Sequence, residues 1–236
     1  CSMFGLTMFD VISTIMKPIE KIMTGLPGYV VVVLIMQLLW WFGIHGPNVM
    51  SAVTTPFMTK MMATNLELYQ SGEGVTASGV FYTAGSKYSI IANPFASGWF
   101  SSTGSGITMG LIIAIMLFSK RDDFKAIAKL SIPCGIFNIN EPIIFGIPMV
   151  MNAMFAVPFF LTPVACVCCG YLVQYLGLCP LFVIDVPWTT PIGLFGFLAS
   201  SGNIMGAIWQ VVIILGVSTL IYTPFVIAAN RQEAEA

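Results

Sequence analysis

Long apolar runs alternate along this chain with short interruptions rich in Gly, Pro and small polar residues. A helix that crosses a bilayer needs about 20 mostly apolar residues. Three stretches come near that length: 29–44 (YVVVVLIMQLLWWFGI), 153–178 (AMFAVPFFLTPVACVCCGYLVQYLGL) and 204–229 (IMGAIWQVVIILGVSTLIYTPFVIAA). A fourth, 106–118 (GITMGLIIAIMLF), is shorter, and the small residues before it can extend it. The paired Trp40 and Trp41 suit an interfacial belt. Over 1–28, apolar residues at helical spacing are interleaved with Asp10, Lys17, Glu20 and Lys21. That pattern fits an amphipathic helix lying at the interface, with a soluble-side connector as the competing reading.

Two segments fit neither a span nor an ordinary loop. Residues 79–105 are rich in Gly and Ser and run into SSTGSG, and residues 131–150 carry Pro133, Gly135, Pro142, Gly146 and Pro148 among apolar neighbours. Prolines and glycines at that density break a helix. Broken backbone at membrane depth survives only inside protein or lining a cavity, and short interrupted segments point to a transporter's binding site. The expected fold is therefore an all-α integral membrane protein with four to five transmembrane helices and two re-entrant helical hairpins.

Basic residues orient it. Lys120, Arg121, Lys125 and Lys129 mark a cytoplasmic segment, and no Lys or Arg follows until Arg231. With 153–178 crossing outward and 204–229 crossing back, the 179–203 stretch, which has no Lys or Arg, is an outer loop. Lys17 and Lys21 before the first span, and Lys120 after 106–118, close a second inside–out–inside pair.

Composition agrees on the solvent. Hydrophobic residues make up 57% of the chain and charged residues 8%, with a mean hydropathy of +0.91. A soluble domain carries roughly a quarter charged residues, so this chain cannot cover a water-facing surface and has lipid as its partner. A net charge of −1 argues against nucleic acid. The cysteines at 1, 134, 166, 168, 169 and 179 are read as small apolar packing residues without metal or redox spacing. No cofactor or metal is expected: one histidine cannot build a His-based zinc site, and a Walker-type phosphate loop is absent. The chain opens at Cys1 without a secretory signal pattern, which reads as a start inside a longer reading frame.

Ionisable groups inside a membrane domain are costly and mark function. His45 ends the first span, where a helix-end hydrogen bond is its plain structural role. Lys87 either serves a site or snorkels to the interface. Asp185 sits in the outer loop, within reach of water. Trp188 offers a belt anchor or a platform for a sugar ring. Glu141 stands in GIFNINEPIIFGIP beside Asn138 and Asn140. Asn-Glu-Pro resembles a helix start, but the three polar side chains supply more donors and acceptors than one cap uses.

The stretches WWFGIHGPNV, TGSGITMGLIIAI, AKLSIPCGIFNINEPIIFGIPMVMN, PWTTPIG and TLIYTPFVIAAN resemble, in order, the signatures of the membrane IIC component of bacterial sugar phosphotransferase systems, in the lactose, cellobiose and diacetylchitobiose branch. The resemblance implies a multi-pass plasma-membrane permease of roughly twice this length. The present chain corresponds to the C-terminal, sugar-carrying half, and the other half forms a homodimer interface. It organises the chain as an interfacial segment (1–28), a transport domain (29–230) and a polar cytoplasmic tail (231–236). The family's Gly-Gly-Ser-Gly stands here as Thr103-Gly104-Ser105-Gly106.

The implied activity is transport of a β-linked disaccharide with phosphorylation of its 6-hydroxyl by a phosphocysteine on a IIB partner, as part of a sugar phosphotransferase complex. By resemblance Glu141 and His45 face the sugar as the catalytic pair. Substrate contacts then fall to Asn138, Asn140, Gly104 and Gly106, with Lys87 offsetting phosphate charge and Trp188 stacking on a pyranose. Two other readings stay open: a half-length remnant that binds sugar or packs with a partner, and an ion-coupled carrier using Glu141 as a proton site.

Overall fold

The computed structural model describes residues 25–235, and it is mostly helical. The amphipathic segment expected over 1–28 lies outside the described residues except for its last four. Helix α1 (Leu26–Trp41) opens with Pro27 in its first turn, where the missing N–H costs nothing. It is apolar all round: Tyr29, Val32, Val33 and Met36 are buried, while Val31, Leu34, Ile35 and Leu38 are exposed. An exposed face of that kind needs lipid or protein against it.

Helix α2 (Gly46–Gln70) has no counterpart in the sequence reading. Its 25 residues span about 37 Å at about 1.5 Å each, enough to cross a bilayer. Ser51, Thr54, Thr55, Thr59, Lys60, Thr64, Asn65 and Glu67 dilute its hydropathy. The α1–α2 corner is tight, and a Cβ on Gly46 would meet the Met36 carbonyl oxygen at 2.0 Å. Beyond α2, strands β1 (Val75–Thr76) and β2 (Gly79–Val80) form a small antiparallel hairpin, with Val75 opposite Val80.

The rest of the chain is a series of broken helices. Helix α3 (Asn93–Trp99), a run of turns over 100–108 and helix α4 (Met109–Phe118) form the first. The expected 106–118 span is thus the return arm of this unit, shortened to ten residues. Helix α5 (Asp122–Ile136) ends at a turn over 137–140, and the short α6 (Glu141–Gly146) follows. Helix α7 (Ala153–Tyr175) matches the expected second span, with Pro158 and Pro163 inside it. Helix α8 (Leu194–Ala199), then α9 (Ile204–Val211), a π-helical turn (Val212–Val217) and α10 (Ser218–Glu235) complete the chain. Among the described residues two helical stretches are long and apolar enough to cross a membrane unaided, 153–175 and 204–231.

The 179–203 stretch is not a solvated outer loop. Cys179, Leu181, Phe182, Val183 and Val186 are buried. Phe182 stacks on Trp99 with centroids 5.2 Å apart and planes 6° from parallel. Gly170 makes room for that indole, since a Cβ there would meet it at 2.3 Å. A buried amide ties the segment down: Gln210 Oε1 accepts from the Gly193 and Gly196 N–H groups at 2.9 and 2.8 Å. Its Nε2 donates to the Gly98 carbonyl and Ser102 Oγ, each at 3.1 Å.

The second inside–out–inside pair is corrected as well. Tyr29, Phe95 and Tyr171 adjoin through ring contacts of 5.9 and 6.4 Å, so they share one end of the bundle. At the other end the Met151 N–H donates to the Trp41 carbonyl at 3.0 Å, and Phe155 packs on Phe124 at 6.3 Å. The C-terminal end of α1 therefore lies with the basic 120–125 segment rather than across from it. Helix α2 follows through the tight corner at Gly46 and leads the chain back from that end, a leg that the sequence reading lacked. At the start of α5, Arg121 forks onto Asp123 at 3.1 and 2.6 Å and lies over the Phe124 ring. Its hydrogen bond holds the Asp123 carboxyl below the usual range.

The cysteines need one correction. Cys166 and Cys169 stand at C-x-x-C spacing after all, within α7, and both are free thiols. The Cys166 Sγ is buried 3.8 Å from the Ile213 carbonyl, in the packing between α7 and the π-helical turn.

Helices α4 and α10 pack most closely at Gly110, where a Cβ would meet Ser218 Oγ at 2.1 Å. Small residues let membrane helices approach in this way. Gly110→Leu is expected to pry the pair apart and lower stability by about 1–3 kcal/mol, the usual cost of overpacking. Thermal unfolding in detergent measures it; a wild-type midpoint would refute the close packing.

Candidate functional site

The two interrupted regions meet at their turns, and side-chain amides make the joint. Asn138 and Thr103 both adopt left-handed backbone, with φ of 66° and 62°. Asn tolerates that conformation better than most residues. Asn138 Oδ1 accepts from the Thr103 N–H at 2.6 Å. Its Nδ2 donates to the Trp188 carbonyl and, at 3.0 Å, to the Thr190 carbonyl. Both amide hydrogens and one oxygen lone pair are thus engaged by backbone. Beside it, Asn140 Nδ2 donates to the Ser105 carbonyl. Gly104 permits this contact: its φ is +81°, and a Cβ would meet the Asn140 amide at 2.3 Å.

Around this joint lies a cavity of about 820 Å³, bounded by Trp40, His45, Ser101, Gly104, Asn138–Glu141 and Trp188. Asn138 and Asn140 are buried in its wall. Glu141 is half-buried, the first residue of α6, with Pro142 following in the first turn. The Asn-Glu-Pro block does start a helix, yet Asn140 spends its amide on Ser105 rather than on a cap. Among the described residues the Glu141 carboxylate has no hydrogen-bond partner.

His45 takes the structural role weighed for it and also lies in the cavity wall. It caps α2, its Nδ1 accepting from the Asn48 N–H at 3.2 Å. With Nδ1 an acceptor, the ring proton sits on Nε2 and can be donated. The imidazole also lies 4.7 Å from the Trp40 ring, which in turn packs near Phe145. Trp188 is 54% exposed, at a turn in the strap held by Asn138.

The structure thus gathers His45, Gly104, Asn138, Asn140, Glu141 and Trp188. It does not bring two other expected contacts to the cavity. Lys87 pairs with Glu73 at 2.9 Å in the loop beyond α2, because the chain between α2 and α3 folds back on itself. Gly106 lies beneath the cavity, where its carbonyl accepts from Tyr222 at 2.7 Å and a Cβ would strike Phe159. Asp185 accepts from Asn93 Nδ2 at 2.9 Å, outside the main cavity.

Sequence reading passed over Trp40, Asn48, Ser101 and Ser105. Trp40 reads from sequence as a belt residue, and its place five positions before His45, across the corner between α1 and α2, is what brings it to the wall. The serines carried none, because only the turn over 100–108 brings them to the wall. Among the described residues no group of three or more His, Cys, Asp or Glu converges as a metal centre. Amides, hydroxyls and aromatic rings with one carboxylate suit a neutral polyhydroxylated ligand.

A family model described as "Phosphotransferase system, EIIC" matches residues 2–163. The cellobiose-specific EIIC component of Lactococcus lactis subsp. lactis (strain IL1403) is 36% identical over 230 residues, covering 93% of this chain and 46% of the relative. The oligo-beta-mannoside-specific EIIC component of Bacillus subtilis (strain 168) is 32% identical over 231 residues, covering 97% and 49%. The crystal structure of ChbC, the IIC component of the N,N'-diacetylchitobiose-specific phosphotransferase system, superposes with a TM-score of 0.86 at 31% identity. It covers 99% of this chain and 51% of ChbC. The chain spans about half the length of the relatives it matches.

Asn138→Ala leaves the Thr103 N–H and the Trp188 and Thr190 carbonyls without their partner. Each buried group so orphaned costs about 1–3 kcal/mol. The expected outcome is a lowered unfolding midpoint in detergent, shared by Asn138→Asp, whose carboxylate cannot donate to the strap. Wild-type stability in both would show that the joint does not depend on this amide.

Proposed function

The chain belongs to the EIIC family of the phosphotransferase system, the sugar permeases of the bacterial plasma membrane, and from that premise we propose that it binds a β-linked oligosaccharide at the Asn138–Glu141 turn and presents the sugar's 6-hydroxyl for phosphorylation. The observation that carries this reading is the unpartnered Glu141 carboxylate in a cavity otherwise lined by amides, hydroxyls and rings. Cellobiose and N,N'-diacetylchitobiose, for which two of the relatives are named, are both β-linked disaccharides, and a volume of about 820 Å³ suits a ligand of that size.

Phosphoryl transfer asks a protein mainly for positioning and electrostatics. Glu141 accepts the proton of the 6-hydroxyl as that oxygen attacks phosphorus on the IIB phosphocysteine. The sulfur–phosphorus bond breaks, the thiolate stays with IIB, and sugar 6-phosphate is left. The Nε2–H of His45 donates to the sugar or the incoming phosphoryl group. Trp188 stacks on a pyranose face. Asn140 keeps its amide oxygen for a hydroxyl, whereas Asn138, spent on backbone, acts as a positioning residue.

On the same reading the described helices make four to five crossings with two re-entrant hairpins, within a transport domain over 29–230 and a cytoplasmic tail over 231–236. The half of the relatives' length that this chain does not span supplies the homodimer interface.

Glu141→Gln, expressed as the complete gene product, is expected to lower sugar phosphorylation by about 10²–10⁴-fold, the usual worth of a general base, while the protein still inserts. Wild-type phosphorylation in that variant would end the base assignment. Free sugar accumulating inside in place of sugar 6-phosphate would favour the ion-coupled carrier.

His45 is tested by a pair of variants, because Asn retains the cap that Ala loses. Weaker sugar binding by calorimetry in both His45→Asn and His45→Ala supports ligand contact. Weakening in His45→Ala alone returns the residue to a capping role.

A further inference from the structure

A second, smaller chamber adjoins the main cavity. It measures about 150 Å³, lies among α1, α2 and α3, and shares Pro47 and Ser101 with the cavity wall. Its polar lining is Thr54, Thr55, Asn93, Ser97 and Ser101, and Tyr29 and Phe100 contribute rings. No charged residue lines it. A chamber meant only as packing space in a membrane domain would be apolar, because buried polar groups are costly there. Hydroxyls and amides beside aromatic rings are the lining that an uncharged sugar ring uses.

Asn93 lines the chamber with an amide held in one orientation. Its Nδ2 donates to Asp185 Oδ1 at 2.9 Å. Asp185 accepts only, so the amide is oriented with its oxygen left over, and among the described residues that oxygen has no partner. This also accounts for Asp185, which the main cavity does not use. Thr54 Oγ1 donates within α2 to the Met50 carbonyl at 3.1 Å, which leaves its lone pairs to accept.

We propose that this chamber is an added subsite, taking a further ring of a β-linked oligosaccharide whose terminal ring occupies the cavity at Glu141. It rests on the sugar-binding reading above and deepens it. Chain length then becomes a property this protein discriminates, through Thr55, Ser97 and the Asn93 amide that Asp185 orients.

The test uses the complete gene product in detergent, titrated by calorimetry with cellobiose and with cellotriose. Thr55 is exposed, so Thr55→Phe fills the chamber from its open side. The ratio of cellotriose to cellobiose affinity is expected to fall about tenfold, or about 1.4 kcal/mol. Asn93→Ala is expected to move the same ratio in the same direction, and it decides the matter if Thr55→Phe binds neither sugar. A wild-type ratio in both variants overturns the subsite, as does a wild-type protein that binds cellobiose but not cellotriose. A wild-type protein that binds neither overturns the sugar-binding reading and the subsite with it.

Discussion

One buried amide holds the functional half of this molecule in register. Asn138 receives the Thr103 N–H of the first interrupted region and gives both amide hydrogens to the strap that carries Trp188. Three segments far apart in sequence meet on that side chain. No ladder or helix serves these backbone groups, and in an apolar surround an unpaired one costs several kcal/mol. Its left-handed φ adds a local cost that the surrounding hydrogen bonds offset.

The same solution recurs at several places where the backbone leaves helical geometry. Gln210 satisfies the start of α8 and the end of α3 together. Asn65 pairs reciprocally with Ser89 at 2.8 and 2.9 Å, pinning the extended chain that leads into α3. Asn230 accepts from the Lys120 N–H and donates to the Phe118 carbonyl, both at 2.9 Å, closing the gap after α4. An Asn or Gln brings both a donor and an acceptor without a charge to desolvate. That explains why so few charged residues suffice to stabilise so much irregular backbone.

These demands shape the cavity as well. Because Asn138 is committed to backbone, the chemistry open to a ligand falls to groups that the scaffold does not use: the Glu141 carboxylate, the His45 Nε2–H, the Asn140 oxygen and the exposed Trp188 face. Capping α2 through Nδ1 fixes the His45 proton on the outward nitrogen. Structure and site therefore share residues without sharing atoms.

The pattern of residues was enough to show the solvent, the α7 and α10 spans and the two places where helices must break, since each follows from local composition. His45, Glu141 and the asparagines stood out for the same reason: polar groups in an apolar run need a use. Hydropathy could not show α2, because hydroxyl, amide and charged residues dilute it and only Thr54 and Asn65 of them are buried, and without α2 the direction of α1 comes out reversed. Nor could it show that Lys87 pairs with Glu73, that Gly106 lies under Phe159, or that 179–203 turns back into the core. Those depend on which distant segments meet. The sequence by itself determined that amides and a carboxylate in apolar runs needed a use; only the tertiary structure decided that the amides serve distant backbone and that Glu141 stays unpaired among the described residues, because hydrogen bonds at 2.6 and 3.1 Å join residues 35 and 112 positions apart.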